Sequence, residues 1–545
     1  MKPDHGQLPS GWRWGKVGDR KVATIVMGQS PPSVTYNKEG CGLPFYQGKA
    51  DFGDVSPKPR VWCSAPKQTA ESGDILLSVR APVGPTNLAS HRCCIGRGLV
   101  AISGTRSVLT LYLYFWFKHV EPWLSEQGEG STFRAIGKAR LENIVVPLPP
   151  LPVQERIVHI LTKADEIRRK RKEALELSDK ILPALFLEMF GDPSTNPKGW
   201  LTIQFEDCLL DITRECNKAQ QHEYKNNTSG SCPIIDQGER LIGGYVDDTT
   251  LLYQGALPVI IFGDHTRRFK FVDFPFVLGA DGTKVLRVIG GYEPEYIYWH
   301  LRLAQLPDRG YERHFKFVRE LRFMSPHPTA QKYFAHVVQQ YAEQRMLLSG
   351  AMEDAEATFQ SLLSRAFTGE LTAEWEAENA EWIAVQQALQ ERLSRLLLLA
   401  LLVEKTRRSG RASAEVLVTA LMKYTFLLQM EGSASRRRFF HFVPYHYGPF
   451  AKELYADLEA LQQEGLVRVD HDTEEDKTRI TVIDPAKAQE ALAVLPEELQ
   501  QDAAQIIETY GDLDHNALLE VVYEQYPAYA RKSRLKQNKI KSTRG

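Results

Sequence analysis

PLPPLPVQERIVHIL (147–161) decides the fold, because a worn copy, SPHPTAQKYFAHVV (325–338), returns about 177 residues later. With Gln154 on Gln331, Pro149 falls on Pro326 and Ile157 on Phe334. Each copy opens a long helical stretch. The first ends in LPALFLEMFGDP (182–193) and the second in LLSRAFTGEL (362–371), where the offset becomes 181 and Phe186 falls on Phe367. Each follows a block rich in short apolar runs and turn residues. The first 375 residues therefore read as two β-rich modules, each followed by a long helix.

The module at 11–146 carries strand-like DILLSV (74–79) and GLVAIS (98–103), punctuated at SPP (30–32), PKP (57–59) and APVGP (81–85). VLTLYLYFWFKHVEPWLSE (108–126) reads as a helix packed on it, its aromatics forming core rather than a stacking platform. From Val153, residues 157, 160, 164, 167, 174, 178, 181 and 185 recur near a 3.5-residue spacing, the mark of a coiled-coil seam. The ~30 residues before Pro183 span about 45 Å as a helix, and Pro183 should kink or restart it. The second module, 200–323, has strand-like PVIIFGD (258–264) and KVLRVIGG (284–291). A second helix is predicted from about Thr329 to Arg365. Its seam is Phe334, Val337, Tyr341, Leu348, Met352, Ala355, Phe359 and Leu362.

Residues 376–545 differ in kind. They are helical, with a basic turn at KTRRSGR (405–411). A helix at 450–464, LVRV, the acidic loop DHDTEEDK and TRITVI then read as a winged-helix-like module. The expected division is a first target-binding module at 1–150, a long helix at 151–192, a second module at 193–328, a long helix at 329–375, and an accessory helical domain with a basic tail at 376–545. The fold class is α+β multidomain: two α/β modules separated by two long antiparallel coiled-coil helices, plus the C-terminal domain.

Composition is that of a globular protein, 43% hydrophobic and 25% charged over 545 residues. The most apolar run, Leu396–Val403, falls far short of the ~20 residues of a membrane span. No signal peptide is recognised, so a cytoplasmic protein without a membrane partner is expected. Seven cysteines without a C-x-x-C pair favour reduced thiols over disulfides, and no metal is expected. The net charge of −1 neither requires nor excludes nucleic acid, which needs a local basic face. Basic clusters stand at Arg267, Arg268 and Lys270, at Arg436 to Arg438, and in a tail from Arg531 to Arg544.

Catalytic signatures are missing. No G-x-x-x-x-G-K-[ST] loop is present to cradle phosphates, and GADGTK (279–284) lacks that spacing. There is no glycine-rich methyl-donor site and no N-P-P-[FY] motif. Asp264, Asp281 and Asp247–Asp248 could be imagined as a nuclease centre, but no E-x-K partner accompanies them and turn aspartates explain them.

The first 375 residues resemble the specificity subunit of type I restriction-modification enzymes. GDILLSVRAPVG with CIGRGLVAI (73–84, 94–102) resembles the core of that family's first target-recognition domain. GSTFRAIGKARLENIVVPLPPLPVQERI (130–157) resembles its exit into the first conserved helix, and ALFLEMFGDPSTNPKGW (184–200) the junction to the second domain. PVIIFGDHTRRFKFVDFPFVLGADGTKVL (258–286) resembles a recurring second-domain core. The departure is SPHPTAQ, which replaces the proline-rich pattern in the second copy and puts that docking surface in question.

The resemblance implies a non-catalytic subunit that binds a bipartite, asymmetric site on double-stranded DNA. It implies two methyltransferase (M) subunits and the helicase-nuclease restriction (R) subunits as partners. No cofactor is expected on this chain; S-adenosylmethionine, ATP and Mg belong to the partners. YHYGPFAKELYADLEAL (445–461) resembles a motif of Panacea-type (SocA-like) helical domains, which act through protein contacts, so a further protein partner is expected there. The plain alternative is that its aromatics build a core. Two other functions stay open: a DNA-binding phage-defence or toxin-antitoxin regulator without a methyltransferase, and a nuclease with an unrecognised site.

Readout of base edges needs Arg or Lys for guanine and Asn or Gln for adenine, while phosphate contacts position the protein. In the first module the loops offering both point to Lys38, Gln47, Lys49, Arg80, Ser131, Thr132 and Arg134. In the second they point to His265, Arg267, Arg268, Thr283, Lys284, Arg313 and Lys316, the RHFK exit at 313–316 standing where Ser131–Lys138 stands in the first.

Overall fold

A repeat of sequence becomes a repeat of topology. The computed structural model describes residues 6–127, 135–279, 282–307, 313–411, 413–432, 439–440, 442–445, 448–472 and 477–530. The chain divides into two units, residues 1–165 with 358–545, and residues 166–357.

In the first unit, β1 (Thr24–Met27), β2 (Ile75–Ser78), β3 (Thr86–Leu88) and β4 (Leu99–Ser103) form an antiparallel sheet in the order β1-β4-β2-β3. β2 and β4 are buried on both faces, which is why they read as unbroken apolar runs. Ile75, Leu77, Val100 and Ile102 face α1 (Thr110–Glu126), whose Tyr112, Phe115 and Trp116 are core. Leu76, Leu99 and Ala101 face a smaller layer, where Leu43–Tyr46 runs parallel to Cys93–Ile95.

The first long helix, α2 (Leu151–Ser178), stops at Asp179–Lys180 and restarts as α3 (Ile181–Phe190). Pro183 lies in the first turn of α3, where its missing N–H costs nothing. In the second unit, β5 (Leu209–Asp211), β6 (Val259–Gly263), β7 (Phe269–Val272) and β8 (Thr283–Val288) take the order β5-β8-β6-β7, the topology of the first sheet. α4 (Pro294–Leu303) packs on it as α1 does on the first, and Cys232–Ile235 runs parallel to Val277–Leu278. α5 (Pro328–Thr368) follows.

The repeated proline–glutamine spacing has a physical reason. Gln154 is buried; its amide nitrogen donates to Pro149 O and Ser107 O, and its oxygen accepts the Leu109 N–H at 2.9 Å, just before α1. Gln331 repeats this, donating to Pro326 O at 2.9 Å and accepting the Glu293 N–H at 3.2 Å, just before α4. Tyr112 and Tyr296, three residues further on, donate their hydroxyls to Pro147 O and Met324 O. SPHPTAQ thus keeps two of the three bonds of the proline-rich copy.

The long helices meet in both units. In the first, Val153, Ile157 and Leu161 share a core with Phe359, Leu363, Ala366 and Phe367, and the Phe367 ring sits edge-on to Tyr112 at 5.4 Å. In the second, Phe334 packs on Phe186 and Phe190, and Phe186 stacks on Tyr296. Phe186 and Phe367 therefore do the same work. Between residues 166 and 357 the helices run antiparallel: Arg168 pairs with Glu356, Arg171 donates to Ala351 O, and Arg345 pairs with Asp179.

The predicted seam of the first helix needs correction. Ile167, Ala174 and Ile181 are exposed, and the buried row runs through Val153, Ile157, Leu161 and Asp165, then Ser178, Leu182, Phe186 and Phe190. Arg168 and Arg171 occupy contact positions as polar partners, a pattern that apolar periodicity misses. The second seam is half-buried or buried at every predicted residue.

α6 (Ala380–Ser409) begins on the first module, where Ile383 joins the core, and continues into a separate core through Leu396–Leu402. The KTRRS segment is the last turn of α6 rather than a loop, and Gly410 caps it with φ +65°. α7 (Val418–Glu431) and α8 (Glu453–Gln463) follow, and Val467–Asp472 pairs antiparallel with Lys477–Val482. Val416–Leu417 adds a third strand. α9 (Glu497–Tyr510) and α10 (His515–Gln525) close this core. The wing tip 473–476, Arg436 to Arg438 and the basic tail lie outside the described residues. No described helix is long and apolar enough to cross a membrane.

Candidate nucleic-acid interface

In the first module the end of the Leu43–Tyr46 strand, the end of β2 and the turn into β4 border one cleft of about 230 Å³. Gln47, Lys49 and Arg80 line it, with Ser30, Ser78 and Arg97. Asp51, buried, shapes the Gln47–Lys49 turn: it accepts the Gln47 N–H at 2.7 Å and the Arg60 Nε–H at 3.1 Å. Ser78 donates to Pro82 O at 2.8 Å and Ser30 accepts the Arg97 N–H at 3.2 Å, fixing the chain on either side of Arg80 and Arg97. Arg80, Arg97 and Lys49 are exposed and no carboxylate of the described residues lines the cleft, so these residues give it a positive potential.

The second module repeats two backbone bonds of this frame. The Val79 N–H donates to Gly98 O at 2.9 Å and the Asp264 N–H to Gly282 O at 2.7 Å. The Ile136 N–H donates to Val79 O and the His314 N–H to Asp264 O. His265 thereby stands where Arg80 stands, and Arg313 where Ala135 stands. PFYQGK (44–49) corresponds to PIIDQGER (233–240) with Tyr46 on Ile235, so Asp236 is inserted and Gln237 stands one place beyond Gln47 before the same glycine. A Cβ on Gly282 (φ +92°) would come within 2.9 Å of Gln237 Oε1 and 3.1 Å of His265, so glycine there keeps the two side chains together. The turn bearing Gln237 is organised from below by Lys270, whose buried ammonium donates to Asp236 O at 2.7 Å and Leu241 O at 3.3 Å. Burial lowers the Lys270 pKa, against the nearby Asp236 carboxylate. Lys270 is thus an internal brace, not part of a basic surface.

The remaining predicted residues scatter. Lys38 is exposed on a turn outside the cleft. Arg267 is half-buried in the β6–β7 turn at φ +58°, and Arg268 pairs with Glu239 at 2.9 Å. Thr283 is buried inside β8 with its hydroxyl 3.4 Å from Gly279 O, so it presents nothing to a phosphate. Lys284 is half-buried, 3.5 Å from Asp211 and over the Phe315 ring. Arg313 and Lys316 are exposed, while His314 is fully buried against Asp264 O. Ser131, Thr132 and Arg134, like Asp281, lie outside the described residues. Arg97 and Gln237 escaped the sequence reading. The signal for both was the repeated Gln-Gly after an apolar strand and the glycine before the last one. Among the described residues no group of three His, Cys, Asp or Glu could hold a metal ion.

The type I restriction modification DNA specificity domain matches residues 9–177. The putative type I restriction enzyme MjaX specificity subunit of Methanocaldococcus jannaschii is 43% identical over 190 residues, 34% of this chain and 45% of the relative. The MjaIX specificity subunit of the same organism is 25% identical over 282 residues, 47% of this chain and 64% of the relative. The chain thus spans about half to two-thirds of the length of these relatives. Among solved structures, the HsdS subunit from Thermoanaerobacter tengcongensis is 53% identical over 29% of this chain and 38% of that one, with a TM-score of 0.27. The S subunit from M. genitalium is 13% identical over 67% of this chain and 99% of that one, with a TM-score of 0.47. Residues 9–177 thus match the specificity domain, and the matched part of the chain is similar to specificity subunits of type I restriction enzymes.

Proposed function

We propose that this chain is the non-catalytic DNA-specificity subunit of a type I restriction-modification complex and that it reads a bipartite, asymmetric site, one half per module. The observation that carries this reading is the first-module cleft lined by Gln47, Arg80 and Arg97, together with matching backbone bonds in the second module, where Gln237 and His265 stand on either side of Gly282. The shared backbone frame supplies position and the differing side chains supply sequence, since Gln suits adenine and Arg suits guanine. Lys49, Arg313 and Lys316 are exposed cations at the margins that suit phosphates.

The two long helices act as the spacer between half-sites, and the duplicated helix starts at Gln154 and Gln331 offer related docking surfaces to two M subunits. R subunits then join. S-adenosylmethionine, ATP and Mg are carried by those partners, and this chain neither methylates nor cleaves. The C-terminal domain, with its winged-helix-like order of helix and hairpin, is an accessory to this core. The test is reconstitution with the M subunits followed by mapping of methylated adenines: a split motif is expected. Sequence-specific binding without any methyltransferase partner would instead favour a stand-alone DNA-binding regulator.

A further inference from the structure

A second basic cleft, of about 490 Å³, lies between the first module and the C-terminal domain, within one unit. Arg13, Arg20, Lys21 and the Gly104–Ser107 turn line one side; Arg395, Phe440 and Glu453 line the other. Among the described residues five cationic side chains, the fifth being Arg106, face a single carboxylate. Asp457, buried behind the wall, locks two of them, 3.3 Å from Arg106 and 3.8 Å from Arg395. Arg106 also donates to Ser394 at 3.0 Å. The side chains of Arg13, Arg20 and Lys21 are exposed, and none forms an ion pair with a described residue.

We propose that this cleft binds a nucleoside phosphate. Three cations without an ion-pair partner among the described residues, in a concave, partly apolar setting, focus a positive field that an anion of high charge density relieves, and Arg presents paired donors to phosphoryl oxygens. Glu453 adds a second requirement. It lines the cleft and its Oε2 accepts no hydrogen bond from a described group, so a ligand with an N–H or O–H donor as well as phosphate suits this wall once the side chain turns outward. A base or sugar attached to the phosphate supplies that donor away from the phosphoryl oxygens held by the cations, whereas inorganic phosphate has only its own P–O–H. The size agrees, because small-molecule sites run to roughly 300–1,000 Å³, too little for a duplex.

The cleft is separate from the one bearing Gln47 and Arg80. The strand pair Thr24–Ser103 borders it, whereas Ser78–Leu99 borders the other. The five residues of β4 between them span roughly 13–17 Å. The inference therefore goes beyond DNA reading, and its failure leaves that reading intact. A ligand here would tie the accessory domain to the first module.

The test is calorimetric titration of the full chain with ATP, GTP, inorganic pyrophosphate and a twelve-nucleotide single-stranded oligothymidylate. One nucleoside triphosphate should bind at one per chain, more tightly than pyrophosphate. Arg20→Ala with Lys21→Ala, both exposed turn positions, should weaken it tenfold or more. Glu453→Ala should weaken the nucleotide while leaving pyrophosphate bound as tightly or more tightly, because a negative charge is lost from the cleft. Arg13→Gln, read alongside the melting curve, serves if the double variant loses its fold. Absence of nucleotide binding at millimolar concentration, equal affinity in the variants, or binding of the oligonucleotide alone would overturn the proposal.

Discussion

Replacing Gln154 by leucine, close in size, removes a junction without opening a large cavity. The side chain makes three hydrogen bonds: it accepts the Leu109 N–H and donates to Ser107 O and Pro149 O, all at 2.9 Å. A lost bond is worth about 0.5–1.5 kcal/mol, and a stranded donor costs about 1–3 kcal/mol. The two carbonyls lose less, because each keeps a second lone pair. The added methyl groups return part of this, leaving a net cost of about 2–4 kcal/mol. Gln331→Leu strands one donor, whose bond is already longer at 3.2 Å, and one carbonyl. It should cost about 1–3 kcal/mol. The assay is urea unfolding of both variants, with hydrogen exchange at the start of α1 and α4. Gln154→Leu should lower the urea midpoint more and release the Leu109 amide; Gln331→Leu should release the Glu293 amide. A Gln154→Leu midpoint equal to wild type, or exchange rising in the other module, would refute the idea that these glutamines dock the long helices.

Further outcomes follow from the same geometry. Four residues inserted after Ala174 add ~6 Å of helix, close to two base-pair steps of ~3.4 Å. The nonspecific spacer should then lengthen while both half-sites persist, and an unchanged spacer in an active variant would contradict the ruler. Burial holds the His300 imidazole down, to about 3 against an ordinary 6.5. The unfolded chain therefore takes up a proton that the folded one refuses, and stability is lost as pH falls from 6.5 toward 3. The slope reaches at most about 1.4 kcal/mol per pH unit. His300→Gln should flatten the acid limb of a stability-against-pH curve, and an unaltered slope would show that His300 is not the group responsible. A chain ending at Trp375 loses Ile383 from the first core and the Glu376 partner of the Trp12 indole at 3.0 Å. It should be less stable than one ending at Ala388 by about 2–4 kcal/mol, read from urea midpoints; equal midpoints would place the boundary back at Trp375.

The parts legible in the sequence were those written in periodicity and punctuation. Pro149–Gln154 and Pro326–Gln331 recur because each glutamine reaches back five residues to a proline carbonyl, so the spacing is itself the bond. The unbroken apolar runs of β2 and β6 signalled strands covered on both faces. Gln47, Lys49 and Arg80 were visible as polar loop residues, and they share one cleft. Where contact chemistry departs from pattern, reading failed. Arg168 and Arg171 bond across the helix pair, and no hydrophobic template finds them. Lys270 looked like surface charge beside Arg267 and Arg268, yet its ammonium serves carbonyls of a neighbouring turn some thirty residues earlier. The interlocking of Arg106, Arg395 and Asp457 joins segments hundreds of residues apart and leaves no local trace.

The central claim, that each module reads its own half of a split site, is tested most directly by selecting preferred sequences from a randomised duplex library. Wild type and Arg80→Ala with Arg97→Ala are compared, both bound to the M subunits. The account predicts two short fixed blocks at constant separation for wild type. In the variant one block should relax, by roughly 1–3 kcal/mol per lost base contact, while the other block and the separation stay as they were. A single continuous block, or equal loss in both, would contradict it.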